Sequence, residues 1–142
     1  MVTTFEVPKS PSPQLKTVLD YLDHVKVLDL AEIEKLFTDD FVQSTSPHTL
    51  NVPPRTKQED LAFLRGLSEQ LEGRHLQMTV YDIVEAPGKA WVHLLLHVEF
   101  PDGRTFDIEC IYQITLVGHL ESHKIKAIND FVDTAAFAAM CG

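Results

Sequence analysis

From His75 to Asp133 the chain is written as four long strand-like segments joined by short turns. HLQMTVYDIVEA turns at Pro87-Gly88, and KAWVHLLLHVEF turns at Pro101-Asp102-Gly103-Arg104. TFDIECIYQITLV and HKIKAINDFVD follow. Strands of this length coil under their own twist, and the concave side of a coiled sheet must be covered. The segments before His75 read as helices, so the cover is at hand. The pattern predicts an α+β fold: a curved, mostly antiparallel sheet with three helices across it, forming a cone-shaped barrel around an internal pocket.

The helices carry their own signals. Ser12-Pro13 starts the first, about Pro13 to Lys26, with Leu15, Val18, Leu19, Leu22 and Val25 at helical spacing. A second, short helix follows Asp29. Phe41 to Thr45 alternates like a brief strand, and Pro47 to Pro54 is a loop. Thr56-Lys57-Gln58-Glu59 matches a capping box and opens a third helix, with Leu61, Phe63, Leu64, Leu67 and Leu71 inward and Gly73 as its stop. The Pro- and Ser-containing residues 1–12 read as a flexible arm, and residues 13–142 as one domain. With 142 residues, 44% of them hydrophobic, the chain can bury a single core.

Charge narrows the partners. A formal net charge of −9, without a cluster of Lys and Arg, argues against nucleic acid and anionic membranes. There is no apolar run of about 18 residues to span a bilayer, nor a secretory leader. Cys110 in mid-strand and Cys141 near the end read as free thiols in a reducing compartment, so the expected location is cytoplasmic.

The Trp91–Phe100 strand has two unequal faces. Val92, Leu94, Leu96, Val98 and Phe100 are all apolar; Trp91, His93, Leu95, His97 and Glu99 are mixed. Neither is a plainly solvated face, so both are expected to be covered, one by the helices and the other by a second copy of the chain or by a further element not evident in the sequence. The turn leaves the choice open. A three-residue Pro-Asp-Gly loop sets even positions against even ones in the next strand; a four-residue loop that includes Arg104 sets even against odd.

TDDFVQSTSP, PPRTKQEDLAFLRGL, FPDGRTF and KIKAINDFVD, in this order, resemble the SnoaL-like polyketide cyclase group of the nuclear-transport-factor-2-like superfamily, over about Leu15 to Asp133. Ketosteroid isomerase, scytalone dehydratase and limonene-epoxide hydrolase belong to that superfamily. The resemblance to the epoxide-hydrolase branch implies the four-residue register. It thereby implies a pocket lined by Gln43, Thr45, His93, Leu95, His97, Ile108, Cys110, Tyr112, Ile128, Asp130 and Val132, with Val92, Leu94, Leu96 and Val98 turned toward a homodimer partner. That branch uses two aspartates bridged by an arginine. Here Leu95 and His93 stand at the first aspartate and at the arginine, and Asp130 alone remains, which argues against that hydrolysis.

The implied chemistry is that of a cofactor-independent lyase, isomerase or cyclase acting on a small hydrophobic, carbonyl-bearing molecule. Asp130 would carry the proton, with its affinity raised by dry surroundings, and His93 would pair with it. Tyr112 or Gln43 would orient the substrate, and Trp91, Tyr112 and Met78 read as wall or core. His93 and His97 share a face but lie about 13 Å apart along it, too far for one metal ion. No phosphate loop or nucleophile elbow is present, so no cofactor is expected. A non-catalytic module that binds a small molecule, or pairs with a partner, is the alternative. In the three-residue register Asp107 and Glu109 would instead join His93 and His97.

Overall fold

The computed structural model describes residues 2–141, with side chains from residue 4 onward. Met1 and Gly142, the outer ends of the expected arm and domain, lie outside the described residues.

Ser12 Oγ accepts from the Leu15 amide at 3.1 Å and starts α1, Pro13–Val27. The helix buries Leu15, Val18, Tyr21, Leu22 and Val25 and ends at Leu28 in the left-handed region. Asp29 caps α2, Leu30–Leu36, which buries Ile33. Thr56 and Glu59 form both halves of the expected capping box at the start of α3, Lys57–Gln70. Of the residues predicted inward on α3, Phe63 is exposed; Asp60 and Leu64 hold the buried stripe. The strands, in chain order, are β1 (Val2–Thr3), β2 (Phe37–Ser46), β3 (Arg55–Thr56), β4 (Gln77–Ala86), β5 (Lys89–Glu99), β6 (Thr105–His119) and β7 (Ser122–Val132), with β1 before α1 and β2 and β3 between α2 and α3. A fourth helix, α4 (Thr134–Cys141), adds to the three expected; Asp133 Oδ1 accepts from the amides of Ala135 and Ala136 at its start.

The fold is α+β, with one sheet in the order β1-β4-β5-β6-β7-β2-β3. β1 with β4 and β2 with β7 are parallel, and the other pairs antiparallel. Register shifts between Val80 and Asp82 and between Thr115 and Leu116 add the local bend that curls the sheet. Residues 2–3, inside the expected flexible arm, lie along β4, where the Thr4 amide donates to Val80 O at 2.8 Å.

The β5–β6 register is the three-residue one, contrary to the register implied by the resemblance. Val92 faces Tyr112, Leu94 faces Cys110 and Val98 faces Phe106. Phe100 and Arg104 close the hairpin around Pro101–Gly103, Gly103 takes φ +91°, and Asp102 Oδ1 accepts from the Arg104 amide at 3.0 Å. Glycine adopts that conformation without steric cost, which is what this loop length requires. The pairing also aligns the apolar positions of both strands on one face. Val92 and Leu94 are fully buried there, with Ile114, Ile125 and Ile128 beside them. The face assigned from the sequence to a dimer partner is therefore the core. Across from it, Phe37 and Phe41 stack with ring centroids 3.7 Å apart, and Tyr21 packs on Phe37 at 5.8 Å.

Candidate functional site

Asp130 stands on β7 between Thr45 of β2 and Tyr112 of β6, on the concave face under the helices. Gln43, Thr45, Ile108, Cys110, Tyr112, Ile128 and Val132 share that buried side with it. These eight residues of the expected lining lie on the concave face. The other four do not. Trp91 is 51% exposed, and His93, Leu95 and His97 are on the convex side of β5. There His93 Nε2 meets Glu109 Oε2 at 2.9 Å and His97 Nδ1 meets Asp107 Oδ1 at 2.6 Å. The expected Asp130–His93 dyad is not formed, because the sheet separates the two. The cause is the hairpin parity: with even positions inward, every odd residue of β5 turns out.

The Asp130 carboxyl is held in a dry place. Burial pushes its pKa up to about 7, opposed by a hydrogen bond with the Cys110 thiol and by the charge of Arg55. Its Oδ1 is covered and has no hydrogen-bond partner, although the residue as a whole keeps partial exposure. A carboxyl that changes charge near neutrality, with an oxygen left unsatisfied, is suited to passing a proton. Burial, then the adjacent Asp130, push the Cys110 thiol far above its ordinary range, so it acts as a donor and not as a thiolate nucleophile.

Two buried tyrosines feel the charge of Asp130. Burial first, then Asp60 and Asp130, raises Tyr21 on α1; burial first, then Cys110 and Asp130, raises Tyr112. Both remain neutral hydroxyl donors at physiological pH. The sequence reading missed Tyr21, Arg55 and Asp60. Arg55 Nε and Nη2 both donate to Asp60 Oδ1, at 3.0 and 2.9 Å, and burial raises the Asp60 carboxyl while Arg55 counters it. The signal was present: Asp60 falls on the stripe of Leu64, Leu67 and Leu71 at helical spacing, where an acid needs a partner.

The sequence reading places a pocket on this concave face, among these side chains. Two depressions lie elsewhere. One of about 430 Å³ is lined by Gly73, Arg74, His75, Gln77, His97 and Glu99. One of about 310 Å³ is bordered by His93, Glu109, Ile111, Phe131 and Asp133, with Cys110 and Val132 at its floor. Among the described residues no group of three or more His, Cys, Asp or Glu could hold a metal ion, and no helix is long and apolar enough to cross a membrane.

A crystal structure of a SnoaL-like polyketide cyclase from Shewanella denitrificans superposes with a TM-score of 0.73, over 90% of this chain and 96% of that one, at 12% identity. The chain has the SnoaL-like fold. The BvnE pinacolase from Penicillium brevicompactum shares the fold with a TM-score of 0.77, over 91% and 92% of the two chains, at 16% identity. In sequence, the monooxygenase dmxR10 of Cryptosporiopsis is 26% identical over 133 residues, 92% of this chain and 87% of that protein. The monooxygenase AacuO of Aspergillus aculeatus is 29% identical over 126 residues, 87% and 76%. No family model matches the chain. Proteins similar to this chain in sequence or in fold are thus named for several reactions, and the side chains inside the cone must decide among them.

Proposed function

We propose that the protein is a cofactor-independent isomerase, cyclase or lyase acting on a small, largely apolar, carbonyl-bearing molecule that enters the cone beside Asp130. The observation that carries the reading is the Asp130 carboxyl itself, buried, with an unpartnered oxygen and a proton affinity near neutrality. As a base it takes a proton from the carbon next to the carbonyl; as an acid it returns one elsewhere on the molecule. Tyr21 and Tyr112 are neutral donors on the same side, suited to the oxygen on which charge develops. His93 has no part in this version. Partial exposure of Asp130 and of the Arg55 side chain gives the cluster a solvent side through which a ligand can pass.

The names of the two sequence relatives favour a second reading, in which the CH2 carbon deprotonated at the same place is oxidised by dioxygen to a carbonyl, one oxygen atom bonding to carbon and the other leaving as water with the two protons lost. One experiment separates the two from simple binding. A panel of enolisable aryl ketones is incubated with the protein in heavy water, and carbon-bound deuterium and oxygen uptake are followed together. Deuterium exchange that falls by about 100-fold or more in Asp130→Asn supports proton transfer. Oxygen uptake with the same dependence supports the second reading. Thermal stabilisation by a ketone without exchange would leave only a binding module.

We also propose that the protein acts in the cytoplasm as a homodimer. Two free cysteines fit a reducing compartment. The convex face of the sheet presents exposed Trp91, Phe131, Tyr81 and Val84, more apolar surface than a lone sheet usually leaves in water.

A further inference from the structure

Arg55 and Asp60 form an ion pair that the chemistry assigned to Asp130 does not use. The Asp60 side chain is 4% exposed and that of Arg55 23%, and both Arg55 donors converge on one carboxylate oxygen. The guanidinium also lies 4.1 Å from the Phe63 ring centroid, so it is fixed from two sides. A buried pair is weak evidence for stability, because an apolar residue on the Leu64–Leu67 stripe would pack there at less desolvation cost.

Placement gives the pair another role. β3 sets Arg55 beside Gln43 of β2, two residues from Thr45, and Thr45 is the neighbour of Asp130. Thr45 of β2 and Tyr112 of β6 flank Asp130 in the sheet, and Cys110, Tyr112, Tyr21 from α1 and Arg55 from β3 interact with it electrostatically. Among these Arg55 is the one cation. Its charge is shared between Asp60 in direct contact and Asp130 at longer range.

We propose that Arg55 and Asp60 are positioning residues for Asp130: Arg55 steadies the ionised carboxylate, and Asp60 sets how much of the Arg55 charge remains to do so. The inference rests on Asp130 as the proton carrier. It requires opposite effects from the two partners. Losing Arg55 disfavours the charged form of Asp130, whereas losing the Asp60 charge favours it.

The test needs no substrate. The Asp130 carboxyl is titrated by carbon-13 NMR in protein labelled at aspartate and assigned by comparison with Asp130→Asn. Arg55→Met is expected to move the midpoint up and Asp60→Asn to move it down, each by on the order of half a pH unit or more. Arg55→Lys, which keeps the charge but not the paired hydrogen bonds, is expected to stay near the parent. Shifts in the same direction, or none, would overturn the proposal; a merely structural pair would lower stability in both variants without opposite shifts. If Arg55→Met does not fold, the near-isosteric Asp60→Asn decides alone by the sign of its shift. A parent midpoint near that of an ordinary carboxyl would remove the proton-carrier reading and this inference with it. A midpoint near neutrality without the shifts would remove only the role of the pair.

Discussion

At the scale of the residue, Asp130 links chemistry to stability. Its carboxyl titrates at about 7 in the folded protein and near 3.9 in an unfolded chain. Between those values the folded protein keeps a proton that the unfolded chain has lost. Stability from this group is therefore complete below about pH 4, declines as pH rises toward 7 and is lost above it. Asp130→Asn removes the penalty. The variant should melt higher than the parent at pH 8, by up to a few kcal/mol, and the gap should close by pH 4. Melting curves of the two proteins across that range would check it, and a constant gap would refute it. The inward placement of Asp130 was legible in the resemblance of KIKAINDFVD. The Arg55–Asp60 pair was not, because Asp60 reads equally well as an ordinary acid in the first turn of a capped helix.

At the scale of the element, the β5–β6 hairpin shows where reading from sequence stopped. The lengths of its strands and the position of its turn were legible, as were α1 and α3 with their caps. The parity was not, because Trp91 and Leu95 make the mixed face apolar enough to pass for an inner one, and the Pro101–Arg104 stretch accommodates either loop length. The burial of Leu94 settles what its substitution does. Leu94→Glu, which the other register would make a test of dimerisation, should instead fail to fold, since it places an unpaired charge in the core at a cost of several kcal/mol. Circular dichroism of the purified variant would show it; a folded, soluble product would contradict the face assignment. His93–Glu109 and His97–Asp107, half-exposed on the other side, should by contrast be worth under about 1 kcal/mol each.

At the scale of the whole molecule, the convex face is where a second copy would sit. Light scattering at micromolar concentration should give twice 16.0 kDa, and Trp91→Glu combined with Phe131→Glu should give the single mass with melting little changed. A parent that already runs as a monomer would end the proposal. The net charge of −9 adds a salt dependence: screening should strengthen association.

The parallel pairing of β2 with β7 also has a meaning in time. Thr45 and Asp130 are neighbours in the sheet but 85 positions apart in the chain (130 − 45). During synthesis α1, α2 and β2 leave the ribosome well before β7 exists, so Phe37 can meet Tyr21 and Phe41 early but must wait for Ile125. Contacts over such separations form slowly, and the waiting surface is the kind that chaperones hold. The proton carrier and the last seam of the core thus arrive on one strand, so the protein cannot finish folding without at the same moment acquiring its candidate site.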